Sequence, residues 1–490
     1  MMHPAGACRD RKFNKTCQIR VFRYNKLKMN APLNIVLSNN LRLTGLPDPF
    51  RQLLMDAMSF PNPKWIENQR MGRWNRNTPK LLRFYDKVGA DGLWLPRGFM
   101  RHLILLCRRH HLRFHIDDRR RELSPIDFIF SGRLKAFQER AVKDMLPKEF
   151  GTLSAPTGSG KTVMALFMIA KRRQPALIVV HTRELANQWM DRIETHLGIP
   201  QNEIGFIGGG QKLLGKSISV ALVQSLYKCA ETVSHTVGHL IVDECHRTPS
   251  RTFTDAVSEF DSRYMLGLSA TPWRRDKLSN LIFWHLGDIH HKMKKGALFK
   301  SGDVLTANVV WRETAFKPFH DPVNDYSKML SELTQDDQRN RLIAGDIARE
   351  AENPNGMSLV LSDRKKHCET LQALLKYRHN TLSALLTGDL NYAARRESLD
   401  RLRRRELNVL IATGQLIGEG FDFSVLSLLF LATPVRFSGR LIQYLGRILR
   451  PAKSKKKATV YDYVDVHVEV LKSAARARQR VYDDLFRGQV

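Results

Sequence analysis

Residues 155–162 read Ala155-Pro156-Thr157-Gly158-Ser159-Gly160-Lys161-Thr162 and precede a helical pattern that begins at Val163. Glycines at this spacing let the backbone wrap closely, so that successive N–H groups point at phosphate oxygens. The first turn of the helix adds the positive end of its dipole. Lys161 is expected to reach the β- and γ-phosphates, and the Thr162 hydroxyl to bind Mg²⁺. The full pattern has Gly where this chain has Ala155, but the G-x-G-K-T end is intact. The loop residues predicted to bind a nucleotide are Thr157, Gly158, Ser159, Gly160, Lys161 and Thr162.

A carboxylate pair follows the apolar run Leu240–Val242 in the sequence Asp243-Glu244-Cys245-His246. A carboxylate at the end of a buried strand can hold a metal ion from the side opposite Thr162, so Asp243 is the second predicted metal ligand. Glu244 is expected to orient and deprotonate the attacking water. His246 is expected to link this site to a neighbouring lobe. Together with the phosphate loop, the carboxylates predict ATP and Mg²⁺ as cofactors.

Short β-branched runs alternate with longer helical patterns around these motifs. The predicted strands are Ala176–Val180, Ile218–Val223, Leu240–Val242 and Met265–Leu268, and then Ser358–Leu361, Val409–Ala412 and Leu428–Ala432. Such alternation implies βαβ units and parallel sheets. The fold class is therefore α/β, with two tandem parallel-sheet lobes that are preceded by a small basic α+β domain. A ligand is expected between the lobes, at the carboxyl ends of the strands.

The composition restricts the partners of the chain. Its 490 residues correspond to roughly three domains, and 79 Lys and Arg against 48 Asp and Glu give a net charge of +31. Such a surface attracts polyanions, because each neutralised phosphate releases a counterion. A membrane partner is not expected, since no apolar run approaches the roughly 18 residues that span a bilayer. Six cysteines without a C-x-x-C pair fit a reducing compartment, so a cytoplasmic location in a bacterial or phage-infected cell is expected.

Composition and turn signals divide the chain into five parts. They are a basic arm (1–30), an N-terminal domain (31–122), a first lobe (123–300), a second lobe (301–475) and a C-terminal helical tail (476–490). In the N-terminal domain, residues 61–120 contain 14 Lys and Arg against 5 Asp and Glu, with aromatic residues interleaved. This pattern suits backbone contact and base stacking, so Arg73 and Trp74 are predicted to contact nucleic acid. The alternative is a small basic α+β domain whose aromatic residues form its core.

Further motifs lie on both sides of the phosphate loop and the carboxylate pair, namely Leu134–Gln138, His181–Trp189, Ser269–Pro272, Leu359–Ser362, Ala412–Thr413, Gly418–Asp422 and Gln443–Arg450. In this order, over about residues 134–465, the chain resembles the superfamily 2 helicases of the DEAD/DEAH type. The resemblance implies two RecA-like lobes and nucleic-acid-stimulated ATP hydrolysis. It implies that Gln138 reads the adenine edge and that Gly420 and Asp422 contact the nucleotide. It further implies that Thr182, Arg183 and Thr413 contact the nucleic-acid backbone, and that Ser269, Thr271 and Gln443, with His246, couple hydrolysis to motion. For each backbone contact the alternative is a helix cap or a surface residue.

The resemblance also implies an arginine finger formed by Arg447 and Arg450. A finger meets the negative charge on the γ-phosphoryl oxygens in the transition state and can raise the rate by about 10³–10⁵. The two residues are three apart, so on a helix they would share a face. Because they belong to the second lobe, hydrolysis requires the cleft between the lobes to close.

Two details resemble the branch of DNA motors that includes XPB, UvsW and the type I and III restriction motor subunits. One is D-E-C-H followed by Trp273-Arg274, and the other is the N-terminal segment with Met71–Asn75 and Gly92–Gly98. The resemblance implies a DNA helicase or translocase that acts on single-stranded, forked or branched DNA in the 3′ to 5′ direction, with protein partners in repair, recombination or defence. The alternatives are an RNA helicase, the motor of a restriction or defence complex, and a non-motor ATP-gated DNA clamp.

Overall fold

The computed structural model describes residues 32–247, 251–270, 279–293, 305–353, 356–390, 392–414, 416, 423, 425–436, 438–450, 452, 455 and 457–486. The strands are β1 Leu33–Leu37, β2 Asn40–Thr44, β3 Ser59–Pro61, β4 Leu81–Arg83, β5 Asp86–Val88, β6 Gly92–Pro96, β7 Phe114–Asp118, β8 Phe150–Ser154, β9 Ala176–Val180, β10 Gly205–Gly208, β11 Gln211–Leu213, β12 Ile218–Leu222, β13 His239–Val242, β14 Tyr264–Ser269, β15 Ile289–Lys292, β16 Ala307–Thr314, β17 Ser358–Ser362, β18 Ala384–Leu386, β19 Val409–Thr413, β20 Leu428–Leu431 and β21 Ala458–Asp465. The α-helices are α1 Asp48–Ala57, α2 Pro63–Arg70, α3 Met100–Arg109, α4 Ala136–Met145, α5 Lys161–Arg172, α6 Arg183–Leu197, α7 Val223–Leu226, α8 Ala230–Ser234, α9 Arg251–Ser258, α10 Ser279–Leu286, α11 Tyr326–Gln335, α12 Asp337–Ala351, α13 Lys365–His379, α14 Tyr392–Arg403, α15 Ser438–Ile448 and α16 Glu469–Phe486.

The N-terminal domain is a mixed five-stranded sheet in the order β5-β6-β2-β1-β7. Its strands alternate between buried and exposed positions, as in β1, where Leu33, Ile35 and Leu37 are buried and Asn34 is exposed. Alternation of this kind means that one face of the sheet is covered and the other meets solvent. Leucines of the covered face form one core with residues of α1 and α3. The predicted small α+β domain is therefore confirmed.

The first lobe is an eight-stranded sheet in the order β11-β10-β12-β9-β13-β14-β8-β15, parallel except at the β10–β11 hairpin. All five residues of the central strand β9 are buried. A strand that is apolar at every position needs cover on both faces, which is the usual situation in a parallel sheet between helices. Two apolar clusters, one around α5 and α6 and one around α8 and α9, supply that cover.

The second lobe repeats this architecture with six parallel strands in the order β16-β21-β20-β17-β19-β18. Helices α15 and α16 contribute to the core on one face, and α12 and α13 to the core on the other. The α/β class with two parallel-sheet lobes is thus confirmed, since both sheets have the predicted βαβ order.

The N-terminal domain and the first lobe share a core. Leu281 and Trp284 of α10 belong to the apolar cluster of the N-terminal domain. The buried Arg97 donates through Nη1 to the carbonyl of Ser262 at 2.8 Å, and a Cβ on Gly98 would lie 2.2 Å from the carbonyl oxygen of Phe283. With so little space between the two backbones, this domain is joined to the first lobe by packing as well as by sequence.

The predicted domain boundaries lie in different structural settings. Those at 30/31 and 300/301 lie outside the described residues. The division at 122/123 lies in the segment between β7 and α4, which contains no helix or strand. The division at 475/476 falls inside α16, whose Val481, Tyr482 and Leu485 are buried in the core of the second lobe. Among the described residues, no helix is both long and apolar enough to cross a bilayer.

Candidate active site

The phosphate loop and the carboxylate pair meet because of the strand order of the first lobe. Strand β8 leads into the loop, β13 leads into Asp243, and β14, which ends at Ser269, pairs with both strands. In a parallel sheet the carboxyl ends of neighbouring strands lie at the same edge. Motifs that are separated by more than 80 positions in the sequence therefore converge at one edge of the sheet.

The loop is shaped by Gly160 and held by Gln138. Gly160 has a φ of +78°, and a Cβ at this position would lie 2.4 Å from Nε2 of Gln138. Nε2 of Gln138 donates to the carbonyl of Ser159 at 2.9 Å, and Oε1 accepts from the backbone N–H of Lys135 at 2.9 Å. Glycine is thus needed for both backbone angle and space. Gln138 supports the phosphate loop, and its predicted contact with adenine stays a prediction.

Lys161 and Glu244 form an ion pair at the centre of the site. Nζ of Lys161 lies 3.3 Å from Oε1 of Glu244 and 3.5 Å from the carbonyl oxygen of Ala155. Lys161 is the first residue of α5, and Glu244 has a φ of +47°, a left-handed conformation that non-glycine residues rarely adopt. Such backbone conformations persist only where the surrounding structure enforces them, and they cluster at functional sites.

The pKa values of the two carboxyl groups move in opposite directions. Burial and the neighbouring charge of Glu244 raise the pKa of Asp243. Burial also favours the neutral form of Glu244, but the cation of Lys161 and the hydrogen bond and charge of His246 outweigh burial and lower its pKa. Glu244 is consequently the carboxylate that carries the negative charge next to the lysine.

Asp243 is oriented by an aromatic side chain of the neighbouring helix. Nε1 of Trp189 in α6 donates to Oδ2 of Asp243 at 2.9 Å, and the backbone N–H of Glu244 donates to Oδ1 at 2.8 Å. Each carboxylate oxygen keeps a lone pair beyond these bonds. Within the described ranges, no group of three or more His, Cys, Asp or Glu side chains could hold a metal by itself. Asp243 and Thr162 fit Mg²⁺, which commonly takes few protein ligands together with water and substrate phosphates.

His246 joins the carboxylate motif to the end of β14. Its Nδ1 lies 3.0 Å from Oγ of Ser269 and 3.3 Å from Oε2 of Glu244. Both contacts lie within the first lobe, whereas the sequence predicted a link towards the neighbouring lobe. Ser269 is fully buried, so the His246 ring connects the charged Glu244 with the buried end of β14.

Helix α15 brings the second lobe against the phosphate loop. A Cβ on Gly446 would lie 2.7 Å from Cβ of Thr157, and the Gly446 carbonyl oxygen lies 4.0 Å from the Cβ position of Gly158. Arg447 follows in the same helix, and its side chain is 8% exposed. The finger motif therefore borders the loop that holds Lys161, as the cleft prediction requires.

The prediction that Arg447 and Arg450 share a helix face is wrong for Arg450. Helix α15 ends at Ile448, and Arg450 lies in the turn that follows. The physical reason is Pro451, because the residue before a proline is disfavoured in the helical region. Arg447 thus lies in the helix, and Arg450 lies in the turn at its end.

Of the other residues predicted to couple hydrolysis to motion or to contact the nucleotide, some lie in the described part of the chain and others do not. Gln443 is buried in α15, and the neighbouring Tyr444 donates its hydroxyl to the carbonyl of Gly414 at 3.1 Å. Gly414 directly follows Thr413, the last residue of β19, so Tyr444 ties the finger helix to the predicted backbone-contact residue. Three of the predicted residues lie outside the described part of the chain, namely Thr271, Gly420 and Asp422.

The predicted backbone contacts of the first lobe lie at the start of α6. Thr182 is the N-cap of this helix and accepts from the backbone N–H of Leu185 at 3.3 Å, which is the helix-cap alternative. The guanidinium of the exposed Arg183 lies 4.1 Å from the ring centroid of Phe206. Nη1 of Arg395 in α14 forms an ion pair with Oε1 of Glu184 at 2.7 Å. The end of α6 that carries the predicted contacts is thus also a contact between the lobes.

Arg73 and Trp74 lie in an exposed loop of the N-terminal domain. The side chain of Trp74 is 86% exposed, and the guanidinium of Arg76 lies 5.9 Å from its ring. Asn75 holds the loop, because its Nδ2 donates to the carbonyl of Trp65 at 3.1 Å. The alternative that the aromatic residues form the core does not apply to Trp74, although Phe60, Phe84 and Trp284 do pack together.

Sequence reasoning missed three residues of this site, namely Trp189, Arg395 and Tyr444. Trp189 and Tyr444 lie inside recognised motifs, but their partners are 54 and 30 positions away. Arg395 lies in an arginine-rich stretch of the sequence, and its partner is 211 positions away. No local signal identifies such pairs, because they depend on which strands and helices become neighbours.

Two family models match the chain in the order of the lobes. One, described as "Type III restriction enzyme, res subunit", matches residues 131–274. The other, described as "Helicase conserved C-terminal domain", matches residues 339–452. The first range contains the phosphate loop and the carboxylate pair, and the second contains the finger helix.

Curated relatives and a solved structure agree with these matches. The DNA 3′-5′ translocase XPB2 of Sulfurisphaera tokodaii is 29% identical over 364 residues, which cover 68% of this chain and 81% of the relative. A protein of Acanthamoeba polyphaga mimivirus, assigned provisionally as ATP-dependent RNA helicase L396, is 26% identical over 371 residues, which cover 73% of this chain and 69% of the relative. The fold resembles a fragment assigned provisionally as the HsdR subunit of a type I restriction enzyme from Vibrio vulnificus, with a TM-score of 0.54, 18% identity and coverage of 74% of this chain and 68% of that one.

The fold and the site define an ATP-hydrolysing enzyme with two RecA-like lobes. The chain belongs to the superfamily 2 helicases, of the type that includes XPB and the motor subunits of restriction enzymes.

Proposed function

We propose that this chain is a DNA translocase or helicase that uses ATP and Mg²⁺ to unwind or remodel forked or branched DNA in the 3′ to 5′ direction. The observation that carries the proposal is the contact between Gly446 and Thr157, which lays the finger helix of one lobe on the phosphate loop of the other. A triphosphate at this loop would be bound by both lobes. Binding and hydrolysis could then move the lobes relative to each other.

The residues at the edge of the first sheet have the chemistry that this reaction needs. Lys161 would hold the β- and γ-phosphates, and Thr162 and Asp243 would hold Mg²⁺, which neutralises charge on the phosphate oxygens when bound. Glu244, kept ionised beside Lys161 and His246, would accept a proton from the attacking water. Oγ of Ser159 is buried and has no hydrogen-bond partner among the described residues, so it can donate to a phosphate oxygen.

Arg447 and Arg450 would supply positive charge from the second lobe. Arg447 follows Gly446, so closure against Thr157 brings its backbone next to the phosphate loop. Gln138, with Gly420 and Asp422, completes the proposed nucleotide contacts. Hydrolysis would then require both lobes, which links ATP turnover to their relative position.

The nucleic-acid strand would be held by the start of α6 and by the end of β19. Thr182, Arg183 and Thr413 belong to different lobes, so a change in the lobe spacing would shift one backbone contact against the other. Arg73 and Trp74 would add a third contact, which is rigidly connected to the first lobe through the shared core around Trp284. The residues proposed to couple hydrolysis to this movement are His246, Ser269, Thr271 and Gln443.

DNA is favoured over RNA by the likeness to XPB2, whose name gives DNA and the 3′-5′ direction. The net charge of +31 supports a polyanionic partner of either kind. An RNA helicase is the second candidate, because L396 carries an RNA helicase name. Protein partners in repair, recombination or defence belong to the proposal through the likeness to restriction subunits. We also propose a cytoplasmic location, where ATP and these substrates both occur.

The ATPase rate with different nucleic acids tests the proposal. We expect forked or branched DNA to stimulate the full-length chain more than RNA of the same sequence, and a Lys161→Ala variant to show no stimulated hydrolysis. Displacement of a labelled strand with hydrolysable and non-hydrolysable ATP separates a motor from an ATP-gated clamp. Stimulation by RNA alone would favour the second candidate, and full activity of Lys161→Ala would contradict the proposed site.

A further inference from the structure

Five residues between β20 and the finger helix α15 are held by hydrogen bonds from three other parts of the second lobe. The carbonyl of Ala432 accepts from Nη1 of Arg339 at 2.7 Å, and the carbonyl of Val435 accepts from Nη1 of Arg478 at 3.4 Å. The hydroxyl of Thr433 accepts from the backbone N–H of Asp363 at 2.9 Å. We call residues 432–436 the finger-leading segment, because α15 begins at Ser438.

The two arginines that hold this segment are buried and paired with carboxylates of one strand. Nε of Arg339 donates to Oδ1 of Asp465 at 2.8 Å. Arg478 grips Asp462 with two hydrogen bonds, from Nε at 2.7 Å and from Nη2 at 2.6 Å. Arg339 is 2% exposed and Arg478 is 3% exposed. Asp462 lies opposite Leu431, the residue just before the finger-leading segment.

Stability alone gives little reason for two such pairs. Taking both charges out of water costs about as much as their attraction returns, and apolar residues of similar volume often stabilise a core as well or better. Apolar side chains could not donate hydrogen bonds to the carbonyls of Ala432 and Val435. These carbonyls lie beyond the end of β20 and before the start of α15, so they need donors from elsewhere in the lobe. The ion pairs fix the direction of the guanidinium groups that supply those donors.

We infer that Arg339 and Arg478 are positioning residues for the arginine finger, an inference that rests on the proposed function. They set the point from which α15 starts, and Gly446 and Arg447 lie in the last turn of that helix. The contact between Gly446 and Thr157 leaves no room for a shifted helix. Misplacement of a catalytic group by about 1 Å can cost about a hundredfold in rate. Arg478, in the C-terminal helix α16, would therefore act on hydrolysis only through the position of α15.

Lysine variants of the two arginines test this inference in the full-length chain. Arg478→Lys keeps a cation for Asp462 but cannot grip the carboxylate with two bonds and reach Val435 at once. Arg339→Lys makes the same test at the other end of the finger-leading segment, where Arg339 contacts Ala432. The matched control is Tyr482→Phe, because the Tyr482 hydroxyl donates to the same Asp462 at 2.8 Å and forms no hydrogen bond with the described residues of the segment. We expect kcat for ATP to fall at least tenfold in both lysine variants, while KM for ATP and the affinity for nucleic acid change less than threefold.

The control should keep kcat within twofold, and thermal unfolding shows whether each variant is folded. Thr433→Val, which retains both ion pairs and removes only the hydroxyl that holds the segment, gives a milder change with an expected severalfold loss of kcat. If a lysine variant does not fold, this variant decides the matter. Wild-type kcat in the folded variants, or an equal loss in Tyr482→Phe, would overturn the inference. A wild-type chain without nucleic-acid-stimulated ATPase would instead refute the proposed function.

Discussion

Gly446 of the second lobe lies so close to Thr157 of the phosphate loop that a Cβ on Gly446 would approach Cβ of Thr157 to 2.7 Å. Carbon atoms in ordinary contact are about 3.5–4.0 Å apart, so the finger helix reaches the loop only because position 446 carries no side chain. The missing side chain thus sets the distance between the lobes at the point where Arg447 enters the site.

Gly446→Ala should therefore keep the cleft from closing fully. We expect kcat for ATP to fall by about a hundredfold, since a shift near 1 Å is enough to misplace a catalytic group. The Kd for nucleotide measured on the isolated binding step should change far less, because Lys161 and its loop belong to the first lobe. Gly345→Ala in α12 is the matched control, because a Cβ there meets nothing within 4 Å. Equal kcat in the two variants would mean that the contact does not limit closure.

The ion pair between Glu184 and Arg395 should stabilise the arrangement of the two lobes. Reversing either charge, with Glu184→Arg or Arg395→Glu, should place like charges opposite each other and lower the stimulated ATPase rate. The double variant restores an attractive pair, so its rate should recover by about twofold to fivefold over the single variants, as expected for up to about 1 kcal/mol in a partly exposed pair. Additive effects in this double-mutant cycle would show that the pair does not couple the lobes.

Trp189→Phe should weaken Mg²⁺ binding without touching a metal ligand. The change removes the N–H that holds Oδ2 of Asp243, and loss of such an orienting partner typically costs about 10- to 100-fold in metal affinity or activity. The Mg²⁺ concentration for half-maximal ATPase should rise accordingly, while saturating Mg²⁺ restores part of the rate. Trp311→Phe makes the same replacement in the second lobe and should leave the Mg²⁺ dependence unchanged. An unchanged Mg²⁺ dependence of the ATPase rate in Trp189→Phe would mean that Asp243 does not bind the metal.

Point variants of the exposed loop test the N-terminal domain better than its deletion. Deletion would uncover Leu281 and Trp284 of the shared core. Trp74→Ala should weaken binding of single-stranded DNA by about 1–3 kcal/mol if the ring stacks on one base. Arg73→Ala should reduce the slope of log K against log salt by about 0.7–0.9. Tyr377→Ala is the control, because this ring is also exposed and has Lys376 5.0 Å from its centroid. Equal effects of Trp74→Ala and Tyr377→Ala would argue against a specific contact between the loop and DNA.

The buried His367 should make the second lobe sensitive to acid. Its ring lies 2.9 Å from Oγ of Ser362 and 2.8 Å from Oδ1 of Asn340, and burial, with Arg339 nearby, lowers its pKa from 6.5 to about 3. In the unfolded chain the group titrates near its ordinary pKa of about 6.5. Between these values only the unfolded state binds the proton, so stability is present above pH 6.5 and is lost as the pH falls towards 3.

Because of His367, the free energy of unfolding should fall by about 2 kcal/mol between pH 7 and pH 5, which is about 1.4 kcal/mol for each pH unit below 6.5. Urea unfolding at the two pH values measures the loss. The His367→Gln variant should lose about 2 kcal/mol less than the parent over this range, while substitution of the exposed His115 should leave the loss unchanged. Parallel losses in all three proteins would mean that His367 is protonated in the folded state.

Several features of the site could be predicted because their determinants are continuous in the sequence. The phosphate loop, the strand before Asp243 and the N-cap at Thr182 each depend on a few neighbouring residues. The end of α15 was predictable as well, because Pro451 disfavours a helical conformation at Arg450. The interpretation of Arg447 and Arg450 as one helical face overlooked that signal. The contact between His246 and Ser269 was not predictable, since these residues meet only when β13 and β14 pair.

By itself, the sequence determined the α/β class, the two parallel sheets and the position of each chemical motif, because helices, buried strands and glycine-rich loops follow from periodicity and residue type over short spans. Only the tertiary structure decided that Gln138 supports the loop, that Trp189 orients Asp243 and that Arg339 and Arg478 hold the segment before the finger helix. These contacts join residues up to 93 positions apart. Strand order and helix packing create them, and neither leaves a local trace in the sequence.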